Sequence, residues 1–183
     1  MRAFFLAALV IVTLSTQAHS WTSASRIKSG QEGAFEVYLT GYSWFDNTPR
    51  GSAAIARPVI HREAGGSGTY DDPITLAVGH SKKWGHKMDF PAGTRFYFPK
   101  LQKYALVEDL CGDGNRPQDG PCHTGKNGRP WVDIYVDGSR AGEAAADRCM
   151  YRLTGMQTAI IHPRPGFPVR TGALTESGCQ VFN

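Results

Sequence analysis

The stretch YALVEDLCGDG (104–114), together with WVDIYVDG (131–138) after a glycine- and proline-rich loop, decides the fold of this chain. Both runs are typical of β-strands, in which successive side chains point to opposite faces. One face of the second run holds three aliphatic residues: Val132, Ile134 and Val136. The other face alternates aromatic and acidic residues: Trp131, Asp133, Tyr135 and Asp137. This period of two predicts a strand with one face in an apolar core.

Asp133 lies between two aromatic side chains on the face away from the aliphatic core. Aromatic rings can cover the flat apolar faces of sugars. A carboxyl group can bond sugar hydroxyls or protonate a glycosidic oxygen. The pattern therefore indicates a sugar-binding cleft, and it fits a solvent-facing strand with ordinary aspartates equally well.

These two runs resemble the core of the double-psi β-barrel superfamily. Its members include expansins, family-45 endoglucanases, rare lipoprotein A and the three-aspartate domain of lytic transglycosylases. In those families the second strand reads like HFDL or RFDIY, and its aspartate is the functional acid. Asp133 matches that aspartate, and Asp109 matches the aspartate of the preceding strand. Trp131 departs from the pattern, because a histidine or basic residue is usual there.

The resemblance extends from YLTGY (38–42) to IIHPRPGFPV (160–169). It implies an all-β, six-stranded double-psi β-barrel with one short helix and long loops. It also implies an open groove, with Asp133 and Asp109 as candidate catalytic acids. Four further residues are the implied substrate-binding set: Thr40, Tyr42, Trp131 and Tyr135.

The position of a second catalytic carboxylate separates the functional hypotheses. Family-45 endoglucanases carry a general base two residues after the tyrosine of the first strand, where this chain has Trp44; Asp46 follows two residues later. Inverting hydrolysis needs two carboxylates with a water between them. The first hypothesis is therefore an expansin-like protein that binds or remodels extracellular polysaccharide. The alternatives are a lytic enzyme with Asp133 as its one acid/base, and a non-enzymatic inhibitor or effector that binds a protein.

Residues 1–20 are typical of a secretory signal, with Arg2, the apolar run FFLAALVIV (4–12) and a small-residue cleavage site. The small and polar composition of residues 21–33 predicts a flexible lead-in. Residues 34–183 would then form the barrel domain. The apolar run is too short to span a bilayer. We therefore expect a secreted, extracellular protein.

Export to an oxidising compartment favours disulfides for the four cysteines. Four cysteines allow three pairings, and the sequence alone does not choose among them. We favour Cys111 with Cys149 and Cys122 with Cys179. The spacing of the cysteines and His123 fits no compact zinc pattern, so we expect no metal and no other cofactor.

The net charge of +4 is not concentrated in a basic run, so we expect no nucleic-acid partner. We also expect a monomer without a membrane partner. The weak positive charge would suit retention on an acidic wall polymer, or it serves only solubility.

Further patterns complete the predicted elements. We expect a first strand with Phe35, Val37 and Leu39 on its buried face. We also expect a short strand at PVIH (58–61), a hairpin from TRFYFP (94–99) to YALVED, a helix opening at Ser139 and a last strand at QTAIIHP (157–163). His61 is a structural residue or a proton carrier, and Trp84 is a sugar platform or a cap on the barrel.

Overall fold

The computed structural model describes residues 30–83 and 85–182. The predicted signal segment, most of the lead-in and Trp84 lie outside the described residues. The strands are β1 (Gly33–Tyr42), β2 (Ile74–Val78), β3 (His80–Ser81), β4 (Lys87–Met88), β5 (Arg95–Phe98), β6 (Lys103–Leu110), β7 (Trp131–Tyr135) and β8 (Gly155–Ile161). The α-helices are α1 (Pro121–Thr124) and α2 (Glu143–Leu153).

Six strands close into a barrel in the order β1-β7-β2-β6-β5-β8, which confirms the predicted fold class. The pairs β1–β7 and β2–β6 are parallel, and the other pairs are antiparallel. Exchanging β1, β2 and β5 for β6, β7 and β8 reproduces the same set of neighbours and directions. The barrel therefore has a twofold symmetry of connectivity, as a double-psi barrel requires.

The aliphatic faces of the strands fill the barrel as their alternation predicts. Val37 and Leu39 of β1, and Val132 and Ile134 of β7, are fully buried. β5 and β6 form the predicted antiparallel hairpin. Burial of these side chains supplies most of the stabilisation that a small barrel can gain, about 1.5–3 kcal/mol for each side chain.

Helix α2 covers part of the barrel and packs on β1. Its buried residues are Ala146, Cys149 and Leu153, one stripe of the helix. The helix begins at Glu143 rather than near Ser139, because Gly142 precedes it with φ 87°, outside the helical region.

The predicted strand at residues 58–61 is wrong. Val59 and Ile60 are 50% and 51% exposed. Their backbone amides donate to Oε1 of Glu108, at 3.0 and 2.8 Å, rather than to a neighbouring strand. A side-chain carboxylate has taken the place of a strand partner.

The favoured cysteine pairing is also wrong, since the disulfides join Cys111 to Cys122 and Cys149 to Cys179. The first pair is 11 residues apart, and the loop between them folds back through a 3-10 turn and α1. The second pair joins the buried face of α2 to the C-terminal segment that crosses it. Two disulfides indicate an oxidising compartment.

Within residues 30–83 and 85–182, no helix has both the length and the apolarity needed to cross a membrane.

Candidate functional site

A cleft of about 490 Å³ opens on the outer face of the barrel. Its lining comes from the loop after β1, from β2 and the segment after it, from residues 109–114, and from Asp133. This volume is in the range that small-molecule sites occupy, roughly 300–1,000 Å³.

Strand register places both predicted acids in the cleft. Thr40 pairs with Asp133, Asp133 with Ala77, and Ala77 with Asp109, so four side chains cross four adjacent strands on one face. Neighbouring strands lie about 4.8 Å apart, so the Cα atoms of the two aspartates are about 10 Å apart. The small side chain of Ala77 leaves space between the acids.

A β-bulge in β6 decides which acid faces the cleft. Leu76 pairs with Val107 and Ala77 with Asp109, so Glu108 has no partner on β2. The extra residue shifts the register and turns Asp109 toward the side of Ala77. Without the bulge, Glu108 would occupy the position beside Ala77.

The Asp133 carboxyl accepts a hydrogen bond from one side chain of the described residues. Thr40 Oγ1 donates to its Oδ1 at 2.8 Å. Its Oδ2 lies 3.9 Å from the sulfur of Cys111, which is bonded in a disulfide and has no proton to donate. Burial raises the pKa of Asp133 to about 7, and the negative charges of Asp46 and Asp109 add to the rise. The group can therefore hold or release a proton near neutral pH.

Asp109 accepts three hydrogen bonds from the protein. Its Oδ1 accepts the amides of Ala56 and Leu110 at 3.0 and 2.8 Å. Its Oδ2 accepts the Tyr42 hydroxyl at 3.0 Å. Burial raises the pKa of Asp109, and these hydrogen bonds oppose the rise. The geometry suits a residue that orients Tyr42 and the loop at Ala56.

The predicted groove residues divide into two groups. Tyr42, Asp109 and Asp133 line the cleft. Thr40, Trp131 and Tyr135 do not line it. Instead, Trp131 Nε1 donates to Thr40 Oγ1 at 2.7 Å, which completes a chain from Trp131 through Thr40 to Asp133.

The two predicted sugar platforms pack against other aromatic rings. The Trp131 ring meets Tyr38 edge-on, with centroids 4.6 Å apart. Tyr135 is buried against Tyr42, with centroids 5.2 Å apart. These contacts hold the two rings against Tyr38 and Tyr42.

Sequence reasoning missed several lining residues. Asp46, treated there as displaced, does line the cleft, and Ser43 holds its Oδ1 through the backbone amide and the hydroxyl at 2.6 and 2.7 Å. His80 and His86 stack with centroids 6.4 Å apart in the same cleft. The remaining charged members of the lining are Arg57, Lys82 and Asp113. The turn sequence around Asp46 was a usable signal, whereas the histidines carry no spacing that identifies a site.

His61 lies outside the cleft lining and has a structural position. Its Nδ1 is 2.6 Å from Glu108 Oε2, and its Nε2 is 3.0 Å from Asp72 Oδ1. Carboxylates only accept, so both ring nitrogens donate and the ring is an imidazolium. The hydrogen bonds to these two carboxylates raise the pKa of His61, against the effect of burial.

Among the residues that the structure describes, no group of three or more histidine, cysteine or acidic side chains is arranged to hold a metal ion.

Comparison with known proteins places the chain among uncharacterised relatives. An uncharacterized protein of Dictyostelium discoideum, DDB_G0273701/DDB_G0273221, is 34% identical over 149 residues, or 81% of this chain and 60% of the relative. The chain thus spans 60% of that relative's length. No solved structure matches the chain. Neither expansins nor rare lipoprotein A are named in these matches, so that resemblance rests on the sequence motifs.

The match to a family model covers nearly the whole described barrel. The model described as the DDB_G0273701 N-terminal domain matches residues 34–180, from β1 to beyond the second disulfide. This chain therefore belongs to the DDB_G0273701 N-terminal domain family.

Proposed function

We propose that this protein is secreted and binds an extracellular polysaccharide in the cleft, with Asp133 as the acid that contacts the sugar chain. The observation that supports this function is a carboxyl group in the cleft that changes its protonation near neutral pH, since burial raises the pKa of Asp133 to about 7. A protonated carboxyl can donate to a hydroxyl or a glycosidic oxygen, and the ionised form can accept from a sugar hydroxyl.

The hydrogen-bond chain behind Asp133 orients it for this role. The Thr40 hydroxyl accepts from Trp131 and is left to donate its own proton to Asp133 Oδ1. Asp133 Oδ2 has no protein donor among the described residues, so it is the oxygen available to a ligand. Positioning of this kind lowers the cost of ordering the carboxyl group on binding.

The secreted location draws support from two independent features. The sequence pattern at residues 1–20 is typical of export. The two disulfides are typical of proteins that fold in an oxidising compartment.

A pull-down on insoluble cellulose, chitin, glucan, peptidoglycan and a uronate polymer, calcium pectate, tests this proposal. Wild type should be retained on at least one polymer, and Asp133→Asn should be retained less. Asp147→Asn is the matched control, because Asp147 is exposed on α2. Equal retention of wild type and Asp133→Asn would contradict the role of Asp133. Failure to bind any polymer would redirect the search to a protein partner.

The position of Asp46 favours a second candidate, a glycan-cleaving enzyme. Asp46 lines the same cleft, and its negative charge contributes to the raised pKa of Asp133. Cleavage with inversion uses one carboxyl as acid and another as the base that activates water. Asp133 would donate the proton and Asp46 would accept one from water.

The soluble sugars released in the same pull-down tubes separate the two functions. Binding without release supports the expansin-like function. Release that is lost in both Asp133→Asn and Asp46→Asn supports the two-carboxylate enzyme. Release that is lost only in Asp133→Asn points to a lytic enzyme with a single acid/base.

A further inference from the structure

Two cations of the described cleft lining form no ion pair with its four aspartates, Asp46, Asp109, Asp113 and Asp133. Arg57 and Lys82 both line the cleft. Arg57 donates to the Ala56 carbonyl at 2.7 Å, and Lys82 donates to the Gly114 carbonyl at 2.6 Å. In the described part of the chain, neither forms an ion pair.

The carboxylates of the same cleft, in contrast, all have donors from the protein. Ser43 donates to Asp46, Tyr42 and two amides to Asp109, and Thr40 to Asp133. Thr48 donates to Asp113 at 3.1 Å. Each of these carboxylates thus has at least one protein donor, Asp133 keeps its Oδ2 for a ligand, and Arg57 and Lys82 retain donors for a ligand.

His80 also lines the cleft, and one of its ring nitrogens has no hydrogen-bond partner among the described residues. The residue is 4% exposed, and the unpaired nitrogen is Nδ1. Burial lowers the pKa of His80, a hydrogen bond with the Cys111 backbone opposes this, and the positive charges of Lys82 and Arg57 lower the pKa further. Buried polar atoms are nearly always hydrogen-bonded, so an unpaired one in a cleft wall suggests that a ligand supplies the partner.

The described part of the cleft lining holds one aromatic ring other than the histidines. Tyr42 is the one tyrosine, tryptophan or phenylalanine among the described lining residues. It is 7% exposed, and its hydroxyl is bonded to Asp109. Among the described lining residues, the groups free to recognise a sugar are therefore polar and charged ones.

We infer that the cleft takes a glycan bearing carboxylate groups, as uronic acids do, with one carboxylate bound by Arg57 and Lys82 while a nearby glycosidic oxygen faces Asp133. Arginine binds a carboxylate through two parallel hydrogen bonds, and lysine adds a point charge. This inference rests on the proposed polysaccharide-binding function and names its substrate class. It gives Arg57 and Lys82 a partner that the protein itself does not supply, and a sugar hydroxyl would donate to the unpaired Nδ1 of a neutral His80.

Titration calorimetry with oligogalacturonate, its methyl ester and a neutral cello-oligosaccharide of equal length tests the inference. Wild type should bind the acid about tenfold or more tightly than the ester, because charged hydrogen bonds are lost on esterification. The double variant Arg57→Gln/Lys82→Gln should lose this preference. Lys83→Gln, at an exposed neighbour outside the cleft lining, should keep it. The preference should shrink as salt is added.

The outcomes separate this inference from the function on which it rests. Equal binding of acid, ester and neutral oligomer would overturn the inference and leave polysaccharide binding intact. An acid preference that survives in the double variant would overturn it too, since the anion would then bind elsewhere. Binding of none of the oligosaccharides would overturn both.

Discussion

Asp133 and Lys103 are both ionisable groups that the barrel shields from water, but their surroundings differ. Burial raises the pKa of Asp133 to about 7 and lowers the pKa of Lys103 to about 8. Lys103 Nζ donates to three carbonyls, those of Ser67, Arg170 and Gly172. Asp133 has one donor, Thr40, and a cavity beside it.

The difference shows how a structural charge can be told from a functional one. Lys103 uses all three protons of its ammonium group and joins β6 to two loops, so nothing is left for a ligand. Asp133 keeps one oxygen without a protein donor in a cleft. A perturbed pKa alone does not separate these cases, whereas unused hydrogen-bonding capacity beside a cavity does.

The largest expected effect comes from Lys103→Met. Loss of the ammonium leaves three carbonyls without their donor, and we expect the free energy of unfolding to fall by about 3 kcal/mol. Urea unfolding would measure the change, with Lys100→Met, at an exposed position, as the control. A change no larger than that of the control would mean that Lys103 is not a structural charge, and the contrast with Asp133 would fail.

The contribution of Asp133 to stability should depend on pH. The carboxyl has a pKa of 3.8 when unperturbed and about 7 in the folded protein, so the folded state binds the proton more tightly. Its contribution to stability is complete below the lower value and is lost as pH rises through the upper one. The free energy of unfolding of wild type should therefore fall relative to that of Asp133→Asn as pH rises from about 4 to about 8.

Urea unfolding at several pH values would measure this difference, with Asp147→Asn as the control substitution. A constant difference between wild type and Asp133→Asn across that range would mean that Asp133 is an ordinary ionised aspartate. Asp133 could then not be the proposed proton donor.

Tyr42→Phe removes a hydrogen bond that two residues of the cleft lining make with each other. The hydroxyl donates to Asp109 Oδ2 in a buried setting. Its removal should cost about 1 kcal/mol of stability, measured by thermal unfolding. Tyr151→Phe is the control, because Tyr151 is 88% exposed. Equal effects at both tyrosines would show that Asp109 does not depend on Tyr42.

Arg50→Gln should give the smallest effect, about 0.3 kcal/mol. Arg50 and Glu143 form an ion pair at 2.6 Å, with side chains 71% and 51% exposed. Solvent screening weakens such a pair, so this variant shows that burial and partner number, rather than charge, distinguish Lys103. Chemical denaturation would measure it, and a loss near that of Lys103→Met would refute this explanation.

The barrel was predicted by the resemblance, and the individual strands were predicted by alternation, which persists wherever one strand face is buried. Val132 and Ile134 of β7 follow that rule. Val59 and Ile60 have an equally apolar pattern and form no strand, because Glu108 accepts their amides. A local pattern does not reveal a carboxylate that comes from a distant strand. The cysteine pairing failed for a similar reason, since it depends on the path of the loop after Cys111.

The candidate site was predictable only where it lies on strands. Thr40, Asp133 and Asp109 occupy one row because strand register aligns them. Trp131 does not line the cleft because its ring packs on Tyr38 of the neighbouring strand. The wall at His80 depends on loops whose course the sequence does not encode locally.

The bulge in β6 gives a route by which the acid that faces the cleft could change in evolution. Glu108 anchors the loop through three amides and His61, whereas its neighbour Asp109 serves the cleft. A deletion of one residue at the bulge would restore regular pairing and bring Glu108 beside Ala77. The cleft would gain a longer acid and the loop would lose its anchor in the same event. Chain length at this one point, rather than residue identity, thus sets which acid a ligand meets.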